Sequence, residues 1–75
     1  MHNYPSINYI KTAQRIEKAM KQRGYTVKAL AEAFEMSEPG VYKWINGTGL
    51  PKLEHFVILA DLFRCKITDL IVIEG

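Results

Sequence analysis

The chain has 75 residues, of which 48% are hydrophobic and 24% charged, with a formal net charge of +2. A chain this short can bury only one small core, so we expect a single domain over residues 1–75. The only cysteine, Cys65, excludes an intrachain disulfide, and the lack of an apolar run of roughly 18 residues excludes a membrane-spanning helix.

The amino-terminal segment predicts a short irregular stretch followed by a helix. Residues 1–7 contain Asn3 and Pro5, and we expect them to be irregular or frayed. From Asn8 to Arg23 apolar residues recur at helical spacing, and Gly24 ends the pattern. The inner face of this helix consists of Ile10, Ala13, Ile16, Ala19 and Met20.

The same end of the chain is basic. Residues 1–28 hold six basic residues and one acidic residue, a charge of +5, which leaves −3 for the rest of the sequence. A basic face of this kind suits contact with phosphates, although charge runs of this density also occur as ordinary solvated helix surface.

Two short amphipathic helices follow one another in residues 26–47. Thr26 and Ser37 are suitable N-caps, Pro39 is tolerated in a first helical turn, and Gly47 supplies a left-handed stop. The apolar residues lie at the i, i+3, i+4 spacing of a buried face, and they are Val27, Leu30, Ala31 and Phe34, then Val41, Trp44 and Ile45. Two helices of about two turns, joined by roughly three residues, form the unit that places its second helix in a DNA groove.

The carboxy-terminal third predicts further helices. Residues 48–51 read as a turn, after which a helix of about eleven residues presents one strongly apolar side. That side contains Leu53, Phe56, Val57, Leu59, Ala60 and Phe63. A short helix over residues 68–71 and an edge strand within residues 72–75 complete the chain. The fold class is therefore all-α, a compact bundle of four to five short helices.

Three segments resemble the phage repressor and Cro-type helix-turn-helix proteins, also called the xenobiotic-response-element class. They are R-I-x(7)-G-Y-T-V-K-A-L-A from Arg15, M-S-E-P-G-V-Y-K-W-I-N-G from Met36, and L-P-x(4)-F-V-I-L-A-D-L-F-x(3)-I-T-D-L-I from Leu50. The resemblance implies a lambda-repressor-like fold. It also implies a sequence-specific transcriptional regulator, in particular a repressor from a phage, prophage or mobile element, that binds double-stranded operator DNA as a two-fold dimer.

Candidate DNA contacts follow from the second helix of the unit. The resemblance places Glu38, Pro39 and Lys43 at base-reading positions of a helix 38–46 in the major groove. Lys43 can donate to guanine, Glu38 can accept from a cytosine amine, and Pro39 can touch a thymine methyl. The candidates for phosphate-backbone contact are Lys28, Ser37, Tyr42, Asn46 and Thr48. Packing at the rim of the core is an equal alternative for Tyr42.

Some positions depart from the usual pattern of the family. Val27 stands where the family often has a glutamine that contacts phosphate. Met20 and Ile45 stand where it often pairs an arginine with a glutamate, and the joint replacement leaves no buried charge unpaired. We predict that Met20 and Ile45 are buried and touch one another. Gly40 either permits a close approach of the second helix or gives it a looser first turn.

DNA binding has one alternative among the classes of function. The acidic Glu38 and the missing glutamine favour, as an alternative, a protein-interaction module of antitoxin or anti-repressor type on the same fold. No nucleophile, base and orienting residue assemble, so we expect no enzyme. We also expect no metal, cofactor or small-molecule ligand, since the histidines and Cys65 lack metal-ligand spacing. Without a signal peptide, a soluble cytoplasmic protein is expected.

The candidate surface for a homodimer is the carboxy-terminal segment Ile67–Ile73. Its apolar content exceeds what a small core needs. The alternative is that these residues close the core over the first helix.

Overall fold

The chain folds into five helices and two short strands within residues 4–75, the part that the computed structural model describes. The helices are α1 (Tyr9–Gln22), α2 (Val27–Phe34), α3 (Glu38–Asn46), α4 (Leu53–Phe63) and α5 (Ile67–Leu70). The strands β1 (Ser6–Ile7) and β2 (Ile73–Glu74) pair antiparallel, with Ile7 opposite Ile73. The predicted all-α bundle is confirmed, with this small ribbon added to it.

The ribbon corrects the expectation for the amino terminus. The prediction of an irregular segment over residues 1–7 is wrong at Ser6 and Ile7, and for residues 1–3 it lies outside the described residues. Ser6 and Ile7 are extended because Ile73 and Glu74, at the far end of the sequence, supply their hydrogen-bonding partner. The strand anticipated within residues 72–75 is therefore present.

The helices begin and end where local chemistry allows. The side chains of Asn8, Thr26 and Ser37 accept hydrogen bonds from the backbone N–H groups of Lys11, Ala29 and Gly40 at 2.8, 3.0 and 3.3 Å. Lys52 precedes α4 without a side-chain cap, in line with its poor cap chemistry. The longest helix has 14 residues, and none within residues 4–75 is long and apolar enough to cross a bilayer.

The core draws at least one fully buried side chain from each helix. Ile16, Leu30, Val41, Leu59 and Leu70 have exposed fractions of 0–1%. The prediction for α1 is correct at Ala13, Ile16 and Met20 but wrong at Ile10, which is 57% exposed. Ile10 lies in the first turn of α1, at the edge of the bundle, where it covers Gly47 at the end of α3.

The prediction that Met20 and Ile45 are both buried is correct for Met20 only, and their mutual contact stays a prediction. Met20 is 4% exposed, whereas Ile45 is partly buried and packs at the margin of the core. Val27 is also partly buried against the core, so this position is used for packing.

The carboxy-terminal segment closes the core over α1. Leu70 is buried, and Ile67, Ile71 and Val72 are partly buried, so of the two alternatives for Ile67–Ile73 closure of the core holds for most of the segment. Val72 donates its N–H to Thr12 Oγ1 at 3.0 Å and accepts from the Asn8 N–H at 2.8 Å. These bonds hold the chain against α1, and only Ile73, at 64%, keeps a large exposed apolar side chain there.

Candidate nucleic-acid interface

Helices α2 and α3 are joined by a tight connection of Glu35, Met36 and Ser37. Glu35 adopts the left-handed conformation with φ of 53°, and its N–H donates to Glu32 while that of Met36 donates to Ala31. This reverses the chain directly after α2. Ser37 then caps α3, and the first turn of α3 is tight, since Gly40 donates its N–H to the Ser37 carbonyl at 3.1 Å. The looser first turn considered for Gly40 is therefore wrong.

An aromatic cluster fixes α3 to its neighbours. Trp44, 4% exposed, meets Phe34 of α2 edge-on with ring centroids 5.3 Å apart. The ring of His55, on α4, lies 5.3 Å from Phe34 and 5.5 Å from Trp44. Three helices thus meet at three rings, which makes Trp44 part of the core. No local pattern in the sequence indicates this packing role of His55, because its partners lie on two other helices.

The opposite side of α3 faces solvent. Glu38, Pro39, Tyr42, Lys43 and Asn46 are all exposed, while Val41 and Trp44 on the inner side are buried. The other candidates, Lys28, Ser37 and Thr48, are exposed as well. The fold therefore brings the candidate DNA contacts to one helix, its N-cap, the turn after it and the start of α2.

The turn after α3 is held by side-chain and backbone bonds. Asn46 Oδ1 accepts from Thr48 Oγ1 at 2.7 Å and from the Thr48 N–H at 3.3 Å. Gly49 donates its N–H to the Lys43 carbonyl at 3.3 Å. Gly47 has φ of 82°, and a Cβ there would lie 2.7 Å from Ile10 Cδ1, so α1 and this turn approach closely. Hydrogen bonds within the turn and the close approach of α1 therefore both fix the end of α3.

Most of the basic residues of the amino-terminal region have partners inside the molecule. Arg23 Nε donates to the carbonyl of Phe63, the last residue of α4, at 2.9 Å. Arg15 Nη1 donates to the carbonyl of Asp69, near the end of α5, at 3.4 Å. Both cations therefore lie at the negative end of a helix. Lys11 pairs with Glu74 at 3.2 Å and Lys21 with Glu17 at 3.7 Å. Four of the six basic residues in residues 1–28 therefore have a partner within the molecule.

The ionisable groups with shifted pKa values lie away from α3. A hydrogen bond from Asn8, together with Lys11, lowers the pKa of Glu74, and burial followed by the charge of Asp69 raises the pKa of the Cys65 thiol. A raised pKa favours the protonated form of the Cys65 thiol. Within residues 4–75 no group of three His, Cys, Asp or Glu side chains is arranged to hold a metal.

Two open grooves run beside α1, with volumes of about 380 and 270 Å³. Arg15 and Lys18 line both, and neither groove includes a residue of α2 or α3. These grooves are therefore separate from the exposed face of α3.

Comparison with known proteins gives two matches. The sequence matches the model of the helix-turn-helix family HTH_3 over residues 16–70. Among solved structures, the fold is similar to a crystal structure described as that of "a putative DNA-binding protein from Bacteroides fragilis", with a TM-score of 0.73 and 23% sequence identity. The alignment covers 92% of this chain and 100% of that one. No curated protein matches the sequence.

Proposed function

Because the chain belongs to the helix-turn-helix family of DNA-binding regulators, we propose that it is a sequence-specific transcriptional repressor of the phage-repressor, xenobiotic-response-element class. Helix α3 enters the major groove of double-stranded DNA, with residues 1–75 acting as one cytoplasmic DNA-binding unit. One observation carries the proposal: α3 buries Val41 and Trp44 while exposing the side chains of Glu38, Pro39 and Lys43. The family is one of regulators and not of enzymes.

Three residues of α3 read bases in this proposal. Lys43 donates to the O6 and N7 acceptors of guanine, Glu38 accepts from the N4 amine of cytosine, and Pro39 contacts a thymine methyl. These residue types provide a donor, an acceptor and an apolar surface on one exposed face. An α-helix has the diameter that the major groove admits, so the three can reach base edges together.

Contacts to phosphates orient α3 in the groove. Lys28 at the start of α2, Ser37 at the N-cap of α3, and Tyr42, Asn46 and Thr48 surround the reading face and are exposed. Ser37 Oγ accepts from Gly40, which leaves its hydroxyl hydrogen available to a phosphate at the positive end of the helix. Two copies bind a palindromic site, since one small domain reads only one half-site.

The proposal is tested by selecting bound duplexes from random DNA at low salt. We expect enrichment of a palindromic sequence, and Lys43→Ala should weaken discrimination at one guanine by about 1–3 kcal/mol. Lys66→Ala is the matched control, because Lys66 is also an exposed lysine but precedes α5. If the unmodified chain enriches no sequence, the repressor proposal fails.

A second candidate is a protein-interaction module of antitoxin or anti-repressor type. It is favoured by the outer side of α4, where Leu53, Val57 and Ile58 are 72%, 52% and 46% exposed. Exposed aliphatic residues on one helix are typical of protein contact surfaces. Failure of DNA selection, together with binding of a protein partner that Val57→Ser abolishes, would support this candidate instead.

A further inference from the structure

We propose that the grooves beside α1 bind an acidic peptide segment of a partner protein, in which carboxylate side chains are interspersed with aliphatic ones. The two grooves share Arg15 and Lys18, and we refer to them together as the α1 groove. This site is additional to the DNA contact proposed for α3, because neither groove includes a residue of α2 or α3.

The cations of the α1 groove lie on one face of one helix. Lys11, Arg15 and Lys18 stand at i, i+4 and i+7 in α1, so their side chains share a face. With a rise of about 1.5 Å per residue, this row is about 10 Å long. Within residues 4–75 the only acidic residue that lines either groove is Asp69, whose Oδ2 already accepts the Lys66 N–H at 2.9 Å. The α1 groove therefore carries a net positive charge.

Most hydrogen-bond donors of Arg15 and Lys18 are available to a ligand. In the part of the chain that the structure describes, no hydrogen bond or ion pair involves the exposed Lys18 ammonium. Arg15 donates only Nη1 to the Asp69 carbonyl, at 3.4 Å, so the other N–H groups of its guanidinium can still bind an anion. That bond also restrains the guanidinium, and a planar guanidinium can bind both oxygens of one carboxylate. Arg15 and Lys18 are therefore suited to hold carboxylates.

Apolar residues also line the α1 groove. Ala19 and Leu70 line the larger groove, and Val72 lines the smaller one. A nucleic-acid backbone presents mainly charged phosphate oxygens to a protein, whereas an acidic peptide also has aliphatic side chains to place against such residues. Volumes of about 380 and 270 Å³ can hold side chains but are too small for a helix, which is about 10–12 Å across. The groove therefore fits an extended acidic segment, which a cluster of cations can recognise.

The test measures binding of the whole chain to a blocked, labelled peptide in which glutamate alternates with leucine and glycine. A length of about eight residues covers the row of cations, since an extended chain rises about 3.3 Å per residue. Binding is followed by fluorescence anisotropy. Alkylation by iodoacetamide is followed in parallel, because Cys65 is the only cysteine and lines the larger groove.

We expect a dissociation constant below about 1 mM that rises with salt concentration, and slower alkylation of Cys65 when the peptide is bound. No binding at about 1 mM peptide, or unchanged alkylation at saturation, would overturn the proposal. A second peptide, with glutamine in place of every glutamate, tests the need for carboxylates. Equal affinity for the two peptides would also overturn it.

Charge reversal at Lys18 separates this site from the rest of α1. Lys18→Glu should weaken peptide binding about five- to tenfold and retain the melting temperature, and Lys18→Arg should keep the affinity. Lys21→Glu is the matched control, because Lys21 is an exposed lysine of the same helix that lines neither groove. It should change the affinity by less than about twofold. Equal losses in the two charge-reversal variants would show nonspecific attraction and refute the site.

A labelled duplex of mixed sequence tests whether the α1 groove binds nucleic acid instead. Lys18→Glu and Lys21→Glu should weaken duplex binding equally, since both remove the same charge and neither residue belongs to α2 or α3. A loss that is confined to Lys18→Glu and exceeds its effect on the peptide would assign the groove to phosphates and overturn the proposal. Because the peptide measurements contain no DNA, their failure leaves the function proposed for α3 intact. Absence of duplex binding by the wild-type chain would contradict that function and leave the peptide site intact.

Discussion

At the scale of single residues, two glycines of the helix-turn-helix unit differ in whether their positions can accommodate a side chain. Gly47 has a positive φ of 82°, and a Cβ there would stand 2.7 Å from Ile10 Cδ1 and 3.3 Å from Ile10 Cα. Gly40 lies inside α3, and a Cβ there would lie 3.0 Å from Cε, the flexible end of the Met36 side chain. Gly47 is therefore needed for conformation and for space, whereas Gly40 is needed for neither.

We predict that Gly47→Ala destabilises the chain by about 1–3 kcal/mol, since alanine is strained at positive φ and would displace α1. Gly40→Ala is the matched control. It should leave stability unchanged or raise it by up to about 1 kcal/mol, because Met36 can move and alanine favours a helix interior. Urea unfolding followed through Trp44 fluorescence measures both. Equal effects of the two substitutions would contradict this reading.

At the scale of elements, the two ends of the chain are joined through α1. Thr12, 0% exposed, accepts the N–H of Val72 with Oγ1, just before β2 pairs with β1. A two-stranded ribbon of two-residue strands is not stable alone. Its persistence therefore depends on the bonds that connect it to α1.

We predict that Thr12→Val costs about 1–3 kcal/mol of unfolding free energy, because it keeps the side-chain shape but leaves the partly buried Val72 N–H without its acceptor. Thr12→Ser retains the hydroxyl and should cost less. Hydrogen exchange of the Val72 amide should accelerate in the valine variant only. A valine variant as stable as wild type would mean that the bond contributes nothing.

At the scale of the whole molecule, several basic side chains of the amino-terminal region have partners inside the molecule. Arg15 and Arg23 bond backbone carbonyls of α5 and α4, and Lys11 pairs with Glu74. Neither groove beside α1 includes a residue of α2 or α3. The basic residues of α2 and α3 themselves are Lys28 and Lys43, and both are exposed.

We therefore predict a shallow salt dependence of duplex binding, with a slope of log K against log salt of about −2 per copy. Engagement of the whole basic face would give about −5 instead. Arg23→Ala should lower the melting temperature and leave this slope unchanged, since the Arg23 guanidinium donates its hydrogen bond to the Phe63 carbonyl. A slope near −5 would show that the face of α1 also meets DNA.

We also predict that the free chain is a monomer at micromolar concentration and pairs only on palindromic DNA. A stable dimer buries about 1,200–2,000 Å² in total, and the segment predicted for that role leaves only Ile73 well exposed. Sedimentation velocity of the free protein measures this. If the free protein is a dimer and Ile73→Ser dissociates it, the interface lies at the carboxy-terminal segment. If Val57→Ser dissociates it instead, the interface lies on α4.

Much of the fold and of the candidate site follows from the sequence by itself. Helix periods, the caps at Thr26 and Ser37 and the stop at Gly47 depend on residues within one or two turns of each other, so their pattern can be read directly. The outer side of α3 follows from the same period once Val41 and Trp44 are assigned to the core. DNA contact by the residues on that side stays a prediction.

Tertiary structure alone decided the features that join distant parts of the chain. The pairing of β1 with β2, the carbonyl partner of Arg23 and the ring contacts of His55 each connect residues that no local pattern relates. Exposure of Ile10 belongs to the same group, since it depends on how the start of α1 packs against the end of α3. Local spacing specifies which side of an element is apolar, but the partner of that side is set by packing of the whole chain.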